Sequence, residues 1–180
     1  GESASRIARA CAKQNNLTIP NDKGGNTNWA DEVQRTGFAH NHNLSITGGN
    51  KSTTYNASAN YIEREGIITG VGNNLFTART FIETKTLKDR LTLSAGLNGN
   101  IRNEWGVPRG EQGASVYNAM YYYSPFVTTR NNDGTWYKDM GISQNFNPLA
   151  LIYEDQSRAT FKRIQATGKA TLKLIDDLYL

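Results

Sequence analysis

Long apolar runs are missing from this sequence. A helix that crosses a membrane needs about 20 consecutive apolar residues, and no such run occurs among the 180 residues. The mean hydropathy of -0.61 agrees with this absence. Helical membrane proteins are therefore excluded as a class.

Cysteine, histidine and proline are also scarce, with one, two and four residues. Cys11 has no second cysteine with which to form an intramolecular disulfide bond, so the redox compartment stays open. The low proline content, together with 17 glycines, 9 tyrosines and many Asn and Thr residues, favours strands and turns over a helical bundle. We predict a mainly β protein.

The surplus of positive charge, +4 at neutral pH with a pI near 9.2, is dispersed along the chain. Lys and Arg stand singly and alternate with Thr, Ser and Asn, as on a solvated strand face, so we expect no nucleic-acid partner. The first residues contain neither a charged n-region nor an apolar h-region. Either the protein is cytoplasmic or its start lies upstream.

Alternation of apolar and polar residues predicts a series of antiparallel strands. The strongest hairpin signal lies within residues 26–70, where two alternating runs face each other across Gly49 and Asn50. The most regular strand, at 91–104, exceeds the five or six residues typical of globular sheets. Strands are predicted at 40–48, 54–64, 75–85, 91–104 and 158–174 with another beginning at Leu178, helices at 3–15, 28–36 and 114–123, and a loop at Asn147-Pro148.

The predicted connections alternate in length. They are short near residues 49, 87 and 175 and long near residues 67 and 105. An up-and-down sheet of this kind has its short turns at one edge and its long loops at the other, as in outer-membrane barrels. A soluble β-sandwich shows the same rhythm of side chains and remains the alternative. The long strands and the strand that begins at Leu178 favour the barrel.

Several motifs carry a family resemblance. Residues 26–70 contain a Trp-x-Asp-Glu helix, a Gly-Gly turn, a Tyr-x-Ala-x-x-x-Tyr strand and a Glu-Gly-Ile loop. The later motifs SVYNAMYYYSPF, NDGTWY and NPLALIYE follow in the same order. Together they resemble SusC/RagA-type TonB-dependent transporters of Bacteroidetes outer membranes over nearly all of residues 26–180.

This resemblance implies an all-β chain with short loop helices, an antiparallel meander that forms an early part of a 22-stranded transmembrane barrel in the bacterial outer membrane. It implies uptake of an oligosaccharide or peptide with the TonB complex and a SusD-like surface lipoprotein, and membrane lipid on the apolar strand face. No cofactor is implied. The implied segments are an extracellular loop at 1–39, four barrel strands at 40–104, a long extracellular loop at 105–157, and a strand with the start of the next at 158–180.

Candidate catalytic and metal sites are weak. His40 and His42 share a strand face, but neither a third His nor a Cys pair completes a metal shell, and an HNH nuclease would need a further His. The sequence lacks a G-x-S-x-G nucleophile elbow. The adjacent carboxylates Glu154 and Asp155 point to opposite faces of a strand. We expect no catalytic residue, no metal and no enzyme, although a secreted β-rich hydrolase remains a third hypothesis.

The aromatic residues of the long connection are the better candidates for contact with a substrate. Aromatic faces bind sugars or peptide side chains, and neighbouring polar groups such as Asn132 and Asp133 supply hydrogen bonds. The alternative is that these rings pack the loop on itself or against a partner subunit. The predicted contact residues are Trp105, Arg109, Tyr122, Trp136 and Tyr137.

The two fold hypotheses differ in where the apolar strand residues point. In a barrel, Tyr55, Ala57, Leu93 and Leu97 face lipid, whereas Asn98 and its polar neighbours on the other face line a solvated interior. In a sandwich, the apolar set meets a second sheet.

Overall fold

The computed structural model describes residues 4–107, 115–138, 146–175 and 178–179. Its contacts divide the chain into two units. We call Gly1–Gly37, Gly66–Val71 and Trp105–Arg158 the helical unit, and Phe38–Glu65, Gly72–Glu104 and Ala159–Leu180 the sheet unit.

The strands form one six-stranded sheet in the order of the sequence. Neighbouring strands pair without a crossover, so the sheet is the antiparallel meander that the alternating pattern predicts. Every predicted strand is confirmed within a few residues. The strands are β1 Ala39–Gly49, β2 Thr53–Glu65, β3 Gly72–Thr86, β4 Leu91–Gly106, β5 Ser157–Ile175 and β6 Leu178–Tyr179.

The turn between β1 and β2 is fixed by one asparagine. The Asn50 side-chain oxygen accepts hydrogen bonds from the backbone N–H groups of Ser52 and Thr53 at 2.9 and 2.8 Å. The backbone N–H of Asn50 in turn donates to the carbonyl of Thr53 at 2.7 Å. Asn side chains stabilise turns in this way, and the turn sets the register in which Gly49 lies opposite Thr54.

The register places the apolar residues of adjacent strands on one face. Leu44 lies opposite Ala59, and Ala59 lies opposite Ala78. On β4 the exposure is the reverse of that in a soluble sheet. The apolar side chains of Leu93 and Leu97 are 40% and 51% exposed, whereas Ser94 and Gly96 of the polar face are half-buried. In the described part of the chain these residues meet no second sheet, since all the strands belong to one. The arrangement expected of a sandwich is therefore absent there.

The buried apolar side chains that the structure describes all lie in the helical unit. The helices are α1 Ala4–Gln14, α2 Trp29–Val33, α3 Val116–Tyr122 and α4 Pro148–Glu154. Three of the four described helices, α2, α3 and α4, supply most of these side chains, and Ile68, Tyr123 and Val127 add to the cluster. None of the described helices is both long enough and apolar enough to cross a membrane.

Three predicted boundaries were wrong. Helix α2 ends at Val33 and does not continue to the predicted stop before Gly37, because Gln34 forms a β-bridge with Ile68 and the N–H of Arg35 donates to the carbonyl of Ile67. The connection near residue 67 is short, only Gly66–Val71, because β2 and β3 continue pairing to Glu65 and Gly72. The predicted loop at Asn147-Pro148 begins α4 instead.

A strand-like pairing fastens the loop after α1 to the segment after α3. The backbone N–H groups of Lys23 and Gly25 donate to the carbonyl of Phe126 at 3.0 Å each, and that of Thr27 donates to Pro125 at 3.1 Å. A Cβ at Gly25 would overlap the backbone of Val127. Only glycine therefore fits at this position.

We expect Gly25→Ala to destabilise the helical unit by about 1–3 kcal/mol, because overpacking against a backbone cannot be relieved by a rotamer change. Unfolding followed through the fluorescence of the buried Trp29 measures the effect. Gly168→Ala is the matched control, since a Cβ there meets open space. Equal stability of the two variants would show that the pairing adapts to the larger residue.

Helix α1 is held by an ion pair. The Arg9 guanidinium contacts Asp22 at 2.7 Å through two hydrogen bonds and donates a third to the carbonyl of Gly25. The Arg9 hydrogen bonds, followed by a backbone hydrogen bond from Gly24, lower the pKa of Asp22 from 3.8 to about 2.

A carboxylate with a lowered pKa stabilises the fold above its ordinary pKa and loses that contribution as the pH falls through the folded pKa. We therefore expect α1 to loosen between about pH 4 and pH 2, which pepsin cleavage near the helix measures. Asp22→Asn should be cleaved already at pH 4 and show no further step in this window. Asp89→Asn, a change in a turn of the sheet unit, is the control. An unchanged acid step in Asp22→Asn would contradict the assignment.

Candidate functional site

The aromatic residues predicted to contact substrate occupy different environments. Tyr122 lies on α3 and is 70% exposed, as is its neighbour Tyr121 at 76%. Trp136 and Tyr137 are partly buried against the core of the helical unit. Trp105 lies at the end of β4, is half-buried, and stacks against none of the other described aromatic rings. Arg109 lies outside the described residues.

Trp136 contacts Tyr153 and Arg130, two neighbours that the sequence alone did not predict. Its ring stacks on Tyr153 of α4, with centroids 5.6 Å apart and planes inclined by 9°. The Arg130 guanidinium lies 3.6 Å from the Trp136 centroid, a cation–π geometry. Arg130 also donates to the carbonyl of Gly134 at 2.7 Å. The Trp136 ring is therefore fixed in place.

A tight turn positions Trp136. Residues 130 and 136 form an antiparallel bridge, and Gly134 has the positive φ of 85° that favours glycine. Within the turn, Asp133 accepts hydrogen bonds from the hydroxyl and N–H of Thr135 at 2.6 and 3.0 Å. These bonds, the hydroxyl first, lower the pKa of Asp133. Asp133 is thus an element of the turn.

Asn147 joins the aromatic residues to α4. Its side-chain amide is buried and donates to the carbonyls of Thr129 and Tyr137 at 3.0 and 3.1 Å. Its side-chain oxygen accepts from the N–H of Leu149 at 3.0 Å and caps the helix. An Asn N-cap followed by Pro at the first helical position is a helix-start signal. The sequence contained this signal, and the prediction of a loop there was wrong.

Tyr123 and Trp29 form the centre of the core next to these residues. Their rings meet edge to face at 5.0 Å and 85°. The Tyr123 hydroxyl donates to the carbonyl of Tyr137 at 2.8 Å, and the Trp29 indole N–H donates to the carbonyl of Ser124 at 2.9 Å. Tyr123 therefore fixes the backbone at Tyr137 through this hydrogen bond and has a structural role.

His40 and His42 face the same side of β1, with their rings 5.0 Å apart. His40 Nε2 lies 3.6 Å from a Glu63 carboxylate oxygen, and the Tyr61 hydroxyl donates to the same carboxylate oxygen at 2.6 Å. The described residues hold no group of three or more His, Cys, Asp or Glu side chains suited to a metal ion. The pair is a polar cluster at the end of two strands.

The polar face of the sheet contains a cavity of about 420 Å³. Residues from β2, β3, β4 and β5 line it, among them Arg79, Phe81 and Asn98. Arg79 and Phe81 lie two residues apart on β3, and sequence reasoning predicted no site there. The signal was that spacing, because residues two apart on a strand share a face.

No family model matches the chain. It is 27% identical over 158 residues to the TonB-dependent receptor P3 of Formosa agariphila, an alignment that covers 85% of this chain and 16% of the relative. It is also 28% identical over 133 residues to the TonB-dependent receptor SusC of Bacteroides thetaiotaomicron, covering 72% of this chain and 13% of the relative.

The chain thus spans about one seventh of the length of these curated relatives. The matches confirm the resemblance that the motifs of residues 26–180 predicted: the chain matches a segment of SusC-type TonB-dependent receptors.

Proposed function

We propose that the chain supplies consecutive strands of the transmembrane barrel of a TonB-dependent outer-membrane importer, with the connecting loops. Such a segment acts in transport and is not an enzyme. The observation that carries the proposal is the inverted exposure of β4, in which Leu93 and Leu97 are exposed while Ser94, Gly96 and Asn98 on the polar face are half-buried. An apolar face without cover is stable against lipid but is an aggregation hazard in water.

The connections support the same proposal. The strands are joined by turns of three and four residues at 50–52 and 87–90, by the six-residue connection Gly66–Val71, and by a long segment between β4 and β5. Outer-membrane barrels combine short periplasmic turns with longer extracellular loops. On this assignment residues 1–39 and 105–157 are extracellular loop segments. Tyr55 and Tyr61, at either end of the small-residue face of β2, lie at the two membrane interfaces, where aromatic residues are enriched.

The resemblance to SusC-type receptors extends the proposal to partners. The full protein takes up an oligosaccharide or peptide, draws energy from the TonB complex, and works with a SusD-like lipoprotein. The exposed Tyr122 on α3 is the best placed of the predicted contact residues, because Trp136 and Tyr137 pack against the core. Trp105 and Arg109 complete the proposed substrate-contacting set.

Charge placed on the two faces of β4 tests the barrel assignment. We expect Ala95→Arg to reduce the free energy of unfolding of the full protein in lipid by about 2–4 kcal/mol, the cost of Arg at the lipid-facing midplane. Ser94→Arg, one residue away on the polar face, is the control and should cost much less. Urea unfolding in liposomes measures both. A greater loss for Ser94→Arg would overturn the assignment.

The contribution of the aromatic loop is tested by removing one exposed ring. We expect Tyr122→Ala to weaken oligosaccharide or peptide binding by about tenfold, because truncating an exposed aromatic contact removes about 1–2 kcal/mol of binding energy. Tyr117→Ala is the control, since this half-exposed tyrosine lies on the same helix outside the proposed set. Binding is measured by calorimetry on the full protein. Equal losses for the two variants would contradict a specific role for Tyr122.

A further inference from the structure

The cavity on the polar face of the sheet has a composition that the transport proposal does not explain. Its lining is contributed by four adjacent strands, and every lining residue belongs to the sheet unit. Its volume of about 420 Å³ lies within the range of small-molecule sites. Its lining includes Asn56, Ser58, Arg79, Phe81, Asn98 and Gln165.

Arg79 supplies a cation that no carboxylate neutralises within the described residues. It lies opposite Ser58 in the β2–β3 register, and its side chain makes no ion pair or hydrogen bond with another described residue. The guanidinium offers a planar fork of N–H donors that matches a carboxylate in a bidentate geometry. An anionic group in the cavity would therefore have a ready partner.

The charge of the whole polar face points the same way. Residues that alternate with the apolar set on β2 to β5 include many more basic than acidic side chains. The Glu104 carboxylate is already paired with Arg102 at 3.3 Å. The basic residues are Arg64, Arg79, Lys85, Arg102, Arg163, Lys169 and Lys173, and the acidic ones are Glu83 and Glu104.

Phe81 supplies an apolar ring beside the cation. It lies two residues from Arg79 on the same face, so the two side chains start about 6–7 Å apart. Gly96 of β4 lies next to this ring, since a Cβ there would be in ordinary van der Waals contact with Phe81 Cδ2 at 3.5 Å. Phe81 remains 47% exposed and presents its ring to the cavity.

Asn98 supplies an acceptor that needs a donor. Its side-chain oxygen is buried and has no hydrogen-bond partner in the described part of the chain. A buried acceptor without a partner costs free energy unless a ligand or water donates to it. A ligand with hydroxyl groups meets this need.

We propose that this cavity binds an acidic sugar, a saccharide unit that carries a carboxylate. The carboxylate pairs with Arg79, the C–H face of the sugar ring packs on Phe81, and a hydroxyl donates to Asn98 Oδ1. A carboxylate, an apolar ring face and hydroxyl donors occur together within one uronic acid unit, and the cavity lining offers a partner for each. The inference rests on the proposed function, because it assigns the polar face to the path of the imported molecule.

Calorimetry on the full protein in detergent tests the proposal with oligogalacturonides and oligoglucuronides, neutral maltooligosaccharides of equal length, and a hexaglutamate peptide. We expect the wild-type protein to bind an acidic saccharide more tightly than the neutral one. Arg79→Gln should weaken that binding at least tenfold, because a charge-assisted hydrogen bond is lost. Phe81→Ala should weaken acidic-saccharide binding severalfold without changing the charge of the face.

Arg163→Gln is the matched control, since it removes one positive charge from the same face but not from the cavity lining. It should change the affinity less than threefold. Equal losses of affinity for Arg79→Gln and Arg163→Gln would show that binding depends only on the total positive charge of the face, and would overturn the proposed site. Arg79-dependent binding of hexaglutamate without binding of any acidic saccharide would assign the cavity to an acidic protein segment and also overturn the proposal.

The outcome separates this inference from the function on which it rests. If the protein fractionates with the outer membrane and Ala95→Arg destabilises it as expected, an unchanged acidic-saccharide affinity in Arg79→Gln would overturn the sugar site and leave the importer assignment in place. If the protein is absent from the outer membrane, the importer assignment fails, while binding of acidic sugars by the purified protein is still measured independently.

Discussion

Backbone hydrogen bonds between neighbouring strands are the interaction on which this structure depends. The described strands join in one sheet, yet none of its apolar side chains belongs to the set of buried residues. Sheet formation therefore pairs the backbone but leaves the hydrophobic surface to be covered by something else. In water that surface would be a liability. In a lipid environment the exposed apolar surface no longer promotes aggregation, and complete pairing of the backbone becomes more important because lipid offers no hydrogen bonds.

The same constraint explains why a conventional core forms in the helical unit. A long connection would carry unpaired backbone groups and mobile aromatic rings unless it packed on itself. Trp29 and Asn147 are both buried, and both donate hydrogen bonds to backbone carbonyls of other loop segments. They therefore fill the core of the loop and also satisfy its backbone. The helices are short because they need only present one apolar side to this core. Tyr123, Trp136 and Tyr137 consequently pack with the core of the helical unit.

Sequence reasoning succeeded where a single period governs the chain. Alternation along β4 specified both the strand and its faces, because a slip by one residue would exchange every side chain between faces. It failed where a local signal has two meanings. Asn147-Pro148 fits a turn or a helix start, and only the buried partners of Asn147 decide between them. The cavity was beyond reach because Arg79, Phe81 and Asn98 come together through strand pairing, not through sequence spacing alone.

The two faces of the sheet carry opposite problems. On the apolar face, small residues such as Ala57 and Ala59 expose little surface each, and the larger Leu and Ile side chains alternate with them across strands. On the polar face, basic side chains outnumber acidic ones. A sheet optimised only for stability would carry fewer basic side chains on this face or would pair each with a carboxylate, as Arg102 is paired with Glu104. A face that keeps Arg79 unbalanced beside an aromatic ring is better suited to an anion that arrives from outside the sheet than to the stability of the sheet itself.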